Sequence, residues 1–547
     1  MSQEVELKLA IDPRDVPTLR ESSILRELRL KHTPRRSLVS VYYDTPRHSL
    51  ARKGIMLRVR KIGNERLQCV KMNAAATSFF QRTELESPIR GNRPDLTQIA
   101  DPDVRRMVRK RCARHDLARV FATNVERETW LLQLGQTQIE CAIDRGVIAS
   151  ERKKAPISEV ELELKSGQPA RIYELAHRLN AIVPLRIETK SKEARGYDLV
   201  EHAKLAAPKA GPILINPPMS VRECLAAIAQ PCIAHVLASA NFAYKNNVPE
   251  GTHQLRVAIR RMRAAFSIFH RAMPENYRLR LAVELQTFAQ KLGAARDWDV
   301  LVEETIASMP TSLRRQRSTE HLIRIARVKR AEGNKSAHAS LRNPQYTEIL
   351  LQLASWADRQ FGSNGSLPQG GKWELDVLAG PAPGFAAEVM QKFHDKARKL
   401  GRKVRELDPP EIHKLRIRIK KLRYATDFLG GFWPNRRTQR YLAALKDLQE
   451  ALGEFHDTTV AGELIAHFTA TEDADVKFPT AQVNRWLTKY QRGLRKKVID
   501  SWRKFANQKP FWDGRCRLVR VPFGVISGPG HLTKLPRRPS SSHSCAF

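Results

Sequence analysis

The chain has 547 residues and a mass of 62.3 kDa, a length that argues for more than one domain. Lys and Arg number 95 against 57 Asp and Glu, a formal net charge of +38, while 42% of the residues are hydrophobic. That balance excludes a disordered polycation and calls for polyanionic partners.

The seven cysteines form no CxxC pair, which argues against structural zinc and a disulfide framework. The most apolar stretch, 226–244, is broken by Pro231 and His235, and the N-terminus lacks a signal-peptide layout. A cytoplasmic protein without a membrane partner is expected.

From the N-terminus to about residue 205 the chain alternates with period 2, the mark of strands with one apolar face. Val5, Leu7 and Leu9 oppose Glu4, Glu6 and Lys8; Leu57 and Val59 oppose Arg58 and Arg60. Further on, Leu85 opposes Arg82, Glu84 and Glu86, and Val160, Leu162 and Leu164 oppose Glu159, Glu161 and Glu163. A single such strand reads as an ordinary solvated face. Concentration of Glu and Arg on strand after strand instead suggests a barrel whose lumen collects the charges. Carboxylates suit Mg²⁺ or Mn²⁺, and Arg and Lys suit phosphate oxygens, so the pattern points to a metal–polyphosphate site. Glu84 and Glu86 are left open between ligands and salt-bridge partners of the arginines.

The passage 206–217, rich in Pro and Gly, is a linker. Beyond it, 218–505 is helical in period and internally duplicated. His253, Arg256, Arg260 and Arg263 share one helical stripe, and His413, Arg416, Lys420 and Arg423 repeat it 160 residues later. Leu292-Gly293 with Arg296-Asp297 matches Leu452-Gly453 with His456-Asp457 at the same offset. Two cationic rows in register would repel unless a polyanion lay between them. Residues 506–547 show no periodicity and are expected to be a disordered tail.

The first half resembles the CYTH family of triphosphate tunnel metalloenzymes. The resemblance is carried by Glu4-Val-Glu6-Leu-Lys8, Tyr42-Tyr43-Asp44-Thr45-Pro46, Leu57-Arg58-Val59-Arg60, Lys71, Arg82-Thr83-Glu84, Ala142-Ile143-Asp144-Arg145-Gly146, Glu159-Val160-Glu161-Leu162-Glu163 and Lys190-Ser191-Lys192. It implies an eight-stranded antiparallel barrel around a tunnel, with flanking helices. It also implies metal ligation by Glu4, Glu6, Glu161 and Glu163, helped by Asp144 and Glu159, with Mg²⁺ or Mn²⁺ as cofactor. Lys8, Arg58, Arg60, Lys71, Arg82, Arg127, Arg186 and Lys190 would contact the phosphates, and Glu4, Glu6 and Lys8 would be catalytic.

The second half resembles the CHAD family, an all-α duplicated helical bundle associated with inorganic polyphosphate. The eight stripe residues named above would line its polyanion surface. Together the resemblances imply a multidomain α+β inorganic triphosphatase that splits tripolyphosphate into pyrophosphate and phosphate and binds polyphosphate, in the cytoplasm or at polyphosphate granules. The alternatives are a CYTH enzyme acting on thiamine triphosphate, a nucleoside triphosphate or ATP cyclisation, and a non-catalytic granule scaffold. No specific nucleic-acid partner is expected, since no recognised nucleic-acid motif is present.

Overall fold

The computed structural model describes residues 3–72, 81–112, 116–201, 206–361, 375–471 and 480–513. The first of its two regions is built on antiparallel strands, as the alternation predicts. They are β1 (Gln3–Ile11), β2 (Arg29–Asp44), β3 (Ile55–Ile62), β4 (Glu65–Met72), β5 (Gln81–Pro88), β6 (Ala118–Leu134), β7 (Thr137–Ala149), β8 (Lys154–Ser166) and β9 (Leu185–Ile187). Among the described residues they form one sheet of nine strands in the order β5-β4-β3-β2-β6-β7-β8-β1-β9, which corrects the expected count of eight.

The additional strand, β9, is three residues long and lies beside Leu9–Ile11 of β1. β1 also runs beside β8 over Glu6–Ala10 and beside β5 over Gln3–Val5.

The apolar face of these strands is covered, which fixes the charged face on the other side. Leu7, Leu9, Val160 and Leu162 pack in one cluster with Ile172, Leu175 and Leu179 of helix Ala170–Asn180. Leu57, Val59 and Val70 pack with Val104 and Val108 of helix Pro102–Cys112. A short helix, Lys192–Val200, is capped by Ser191, whose Oγ accepts from the Ala194 N–H at 3.1 Å. It sits so close to β6 that a Cβ on Gly196 would lie 2.2 Å from the Phe121 ring.

Beyond the linker the structure is helical. Helix Pro249–Ile268 of the first repeat corresponds at the 160-residue offset to Pro409–Leu429 of the second, and each follows another long helix, Val221–Asn246 and Ala382–Gly401. The long helix Val221–Asn246 is apolar enough to cross a membrane by length and composition, yet Cys224, Leu225, Ile228, Ile233 and Val236 are buried in the core. The two regions share that core. Thr347 Oγ1 donates to the Leu185 carbonyl at 2.5 Å, and Asn180 Nδ2 donates to the Pro344 carbonyl at 3.1 Å. The expected tail begins too early, because Phe511 and Trp512 are buried around Tyr441; 514–547 lie outside the described residues.

Gly196→Ala is expected to lower the unfolding free energy by about 1–3 kcal/mol, because an added methyl must displace a ring in a filled core. Gly384→Ala, with nothing within 4 Å of its Cβ position, should change it by less than about 1 kcal/mol. Urea denaturation of the full chain measures both.

Candidate functional site

The charged face of the sheet encloses a cavity of about 650 Å³ to which each of β1–β8 contributes side chains, together with Ser191, Lys192 and Glu193. Its charges are segregated by strand. In β7, β8 and β1 the register sets Glu140 opposite Glu163 and Glu163 opposite Glu6, a row of three carboxylates across neighbouring strands. Like charges opposed in this way are destabilising unless cations intervene. Lys8 pairs with Glu6, and Lys165 pairs with Glu163 at 2.7 Å and Glu140 at 3.7 Å.

Further along the same face, Asp144, Glu159 and Glu161 are buried with carboxylate oxygens within 4.8 Å of one another. Lys192 pairs with all three, at 2.7 Å to Asp144 and to Glu161. Arg127 holds Asp144 through two bonds of 2.7 Å and also reaches Glu161. Arg195 donates to Glu159 at 2.5 Å. Burial opposes the charge on Glu161 and Asp144, but the neighbouring cations outweigh it and hold both carboxyls below their ordinary values.

The facing wall, from β3 and β4, carries Arg58, Arg60 and Lys71. Glu84 on β5 bonds Arg58 at 2.8 Å and Lys71 at 2.5 Å, and its carboxylate also lies within 4.8 Å of donor atoms of Cys69 and Glu86. Arg60 forms no ion pair among the described residues, and its Nε reaches only Ser40 Oγ at 3.4 Å. Burial, then Arg58 and Arg127, push its pKa down. It is a half-buried cation beside other cations, with Glu86 as a weaker compensating charge.

The helical region holds the other cation cluster. His413 Nδ1 lies 3.1 Å from His456 Nδ1, and Arg416 reaches Asp457 at 3.4 Å. Burial lowers the Lys420 pKa to about 7, aided by Arg416 and by Arg260 of the other repeat. Burial also lowers His413 and takes His456 to about 4, with Arg416 adding to each.

Comparison with known proteins assigns both regions. The CYTH domain family matches residues 2–197 and the CHAD domain family residues 227–466. The chain carries a CYTH domain followed by a CHAD domain. A Haemophilus influenzae protein named inorganic triphosphatase is 32% identical over 203 residues, a match covering 36% of this chain and 55% of that protein. This chain therefore spans about half the length of that relative. An uncharacterised Mycobacterium tuberculosis protein is 24% identical over 498 residues, covering 86% of this chain and 90% of its own length. The crystal structure of the CHAD domain from Ricinus communis aligns with a TM-score of 0.46 at 25% identity, covering 57% of this chain and 99% of that one.

Within the CYTH cavity the structure brings together Glu6, Lys8, Arg58, Arg60, Lys71, Arg127, Asp144, Glu161 and Glu163, with Glu159 buried behind them. Glu4 pairs with Arg82 in the β1–β5 register, but both side chains lie outside the described ones. Two expected phosphate contacts are elsewhere. Arg186 stacks on Tyr244 of the CHAD domain, 3.5 Å from the ring centre, and exposed Lys190 pairs with Asp198 at 2.5 Å. Lys192, rather than Lys190, reaches the cavity. Glu140, Lys165 and Arg195 were also missed; Glu140 shares the inward alternation of β7 with Asp144, a signal that could have found it.

In the CHAD domain, Arg256 donates to the Leu292 carbonyl at 3.4 Å, where a Cβ on Gly293 would crowd its guanidinium at 2.9 Å. Arg263 donates to Gln286 at 2.8 Å, Arg423 to Gln449 at 2.5 Å, and half-buried His253 lies near the start of its helix.

Lys192→Ala removes the cation shared by three buried carboxylates and should cost about 3–5 kcal/mol of stability, whereas Lys190→Ala, at an exposed pair, should cost less than about 1 kcal/mol. Because Asp144 and Glu161 have lower pKa values folded than unfolded, their stabilisation is complete above the ordinary 3.8 and 4.5 and is lost as pH falls through the folded values. Urea midpoints should hold steady down to about pH 5 and drop below about pH 4 in the wild type.

Proposed function

We propose that the CYTH cavity binds a linear triphosphate together with a divalent cation and hydrolyses it, and that the CHAD rows bind inorganic polyphosphate. The observation that carries the first part is Arg60, a half-buried cation that forms no ion pair among the described residues, set beside Arg58 and opposite a wall of carboxylates. An anion with several separated charges is the ligand that relieves it. In this reading the β1–β5 pairing returns the sheet on itself, so that β1–β8 form a barrel, β9 lies outside it, and the cavity is a tunnel.

The acidic wall suits a metal. Its donors are carboxylate oxygens, the hard ligands Mg²⁺ and Mn²⁺ prefer, and its facing acids require positive charge. Glu6, Glu161 and Glu163, with Glu4 on the same strand alternation, would hold it, Glu161 giving up its pairs with Lys192 and Arg127, while Asp144 and Glu159 keep theirs with Arg127, Lys192 and Arg195. A bound divalent cation supplies Lewis-acid charge to the phosphate oxygens. Lys8, Arg58, Arg60 and Lys71 would hold the chain extended along the facing wall and neutralise its remaining charge. Water attacks the terminal phosphorus, the phosphoanhydride P–O bond breaks, and pyrophosphate leaves, with the water proton passing to the acidic wall or solvent. The Haemophilus relative's name supports the inorganic substrate.

A second reading keeps the cavity and changes the substrate. Leu38, Tyr42, Met56 and Val125 also line it, an apolar surface that an inorganic triphosphate does not use but a base or thiamine ring would. A panel of tripolyphosphate, ATP and thiamine triphosphate, with Mg²⁺ or Mn²⁺ and released phosphate as readout, separates the two. Tripolyphosphate is expected to turn over fastest; preference for an organic triphosphate selects the second reading.

Arg60→Ala should raise KM for the preferred substrate by about tenfold to a hundredfold, the value of one charge-assisted contact, and an unchanged KM would remove Arg60 from the site. For the CHAD rows, polyphosphate should restore the proton to Lys420, whose pKa stands at about 7 in the free protein. Binding should therefore take up a proton and weaken as pH rises from 6.5 to 8.5 by roughly tenfold. Calorimetry in buffers of different ionisation enthalpy measures that uptake.

A further inference from the structure

The second CHAD repeat carries another basic face that the stripe does not use. On helix Pro409–Leu429 the buried residues Leu415, Ile419 and Leu422 mark the core side, and His413, Arg416, Lys420 and Arg423 mark the side facing the first repeat. Lys414, Ile417, Arg418 and Lys421 point away from both, turned by roughly a third of a circle from the stripe. With the neighbouring helix Ala382–Gly401 and the turn after it, they enclose a groove of about 740 Å³.

The groove combines two chemistries. Its floor is apolar, made by Phe393, Leu400, Leu407 and Ile417, and Ile417 is 43% exposed. Its rim carries Lys396, Lys399, Lys403, Lys414, Arg418 and Lys421, and among the described residues none of the six forms an ion pair. The one acid on the lining, Glu411, caps its own helix by accepting from the Asp408 N–H at 3.1 Å.

The fold does not require this opening. At the 160-residue offset the position of Glu411 is Gly251, which is buried. There the two helices touch directly, since a Cβ on Gly251 would lie 2.9 Å from Ala243 Cα. The second repeat has Glu411 in place of that glycine, with lysines along the neighbouring helix and Ile417 exposed between them.

We propose that this groove docks an acidic amphipathic helix of a partner protein, its apolar residues on the floor and its carboxylates on the two lysine rows. The charge of the rim selects an anion. The apolar floor selects against inorganic polyphosphate, which has no surface to place there, and the concavity between two helices matches a single helix rather than a flat bilayer.

The test uses the full chain and a fluorescent 18-residue probe peptide of Glu and Leu with the leucines on one helical face. A control peptide has every Leu replaced by Gln at unchanged charge. The expected result is binding of the leucine peptide, weakened at least about tenfold for the control, for Ile417→Asp and for the triple variant K399E/K403E/K421E. Polyphosphate binding should remain in both variants, because the stripe is untouched. Equal affinity for the two peptides, or a triple variant that binds the leucine peptide unchanged, would overturn the proposal. So would loss of polyphosphate binding in the triple variant to the same degree, which would assign the groove to the polyphosphate surface. Ile417→Asp and the lysine substitutions alter groove-lining positions outside the buried core, and a unchanged urea midpoint keeps the comparison valid.

Discussion

Charge compensation across neighbouring strands governs the CYTH domain. Once Leu7, Leu9, Val160 and Leu162 are committed to the helix-covered side, period-2 geometry leaves Glu6, Glu161 and Glu163 no choice but the cavity. Acids then face acids across β7, β8 and β1, and arginines cluster on β3, so the sheet is stable only if cations and anions are supplied in the right places. The chain supplies some of them itself, through Lys8, Lys165, Lys192, Arg127 and Arg195. What it leaves least compensated, Arg60 above all, is the physical basis for reading the cavity as a ligand site.

In the CHAD domain the same constraint acts between repeats. Duplication places Arg260 near Arg416 and Lys420, and burial, with Arg416 and then Arg260 adding to it, lowers the Lys420 pKa. The repeats have nevertheless diverged where they do not face each other, as the closed Gly251–Ala243 seam and the groove beside Glu411 illustrate. The two domains are also not independent bodies. Leu175 and Leu185 of one share a core with Leu350 and Leu353 of the other, and Glu188, beside β9, accepts from Asn241 and Lys245 at 2.6 Å each.

Much of this was legible in the sequence because strand alternation and helical stripes depend on local spacing alone. Glu6, Lys8, Arg58, Arg60, Glu161 and Glu163 reach the cavity for that reason, and the 160-residue offset predicted both basic helices. The errors fall where alternation stops. Lys190 and Lys192 share a strand face only if the segment is extended; Ser191 instead caps a helix, which sends Lys192 into the cavity and leaves Lys190 at the surface. Arg186 sits on a short outer strand whose neighbour, Tyr244, is some 60 residues away and invisible to local reasoning. The buried Phe511 and Trp512 escaped because two aromatics in a Pro- and Arg-rich segment have no periodicity to read.

The central claim is that the cavity holds a triphosphate between an acidic wall that takes a divalent cation and a basic wall that takes the phosphates. The most direct measurement is the dissociation constant of tripolyphosphate for the full chain, by calorimetry at fixed pH, with Mg²⁺ present and with Mg²⁺ chelated, in the wild type and in Glu6→Gln held on ice to suppress turnover. The account predicts tight binding with Mg²⁺, a loss of at least about tenfold on chelation, and a much smaller metal effect in Glu6→Gln. Affinity that is the same with and without the metal in both proteins would contradict it.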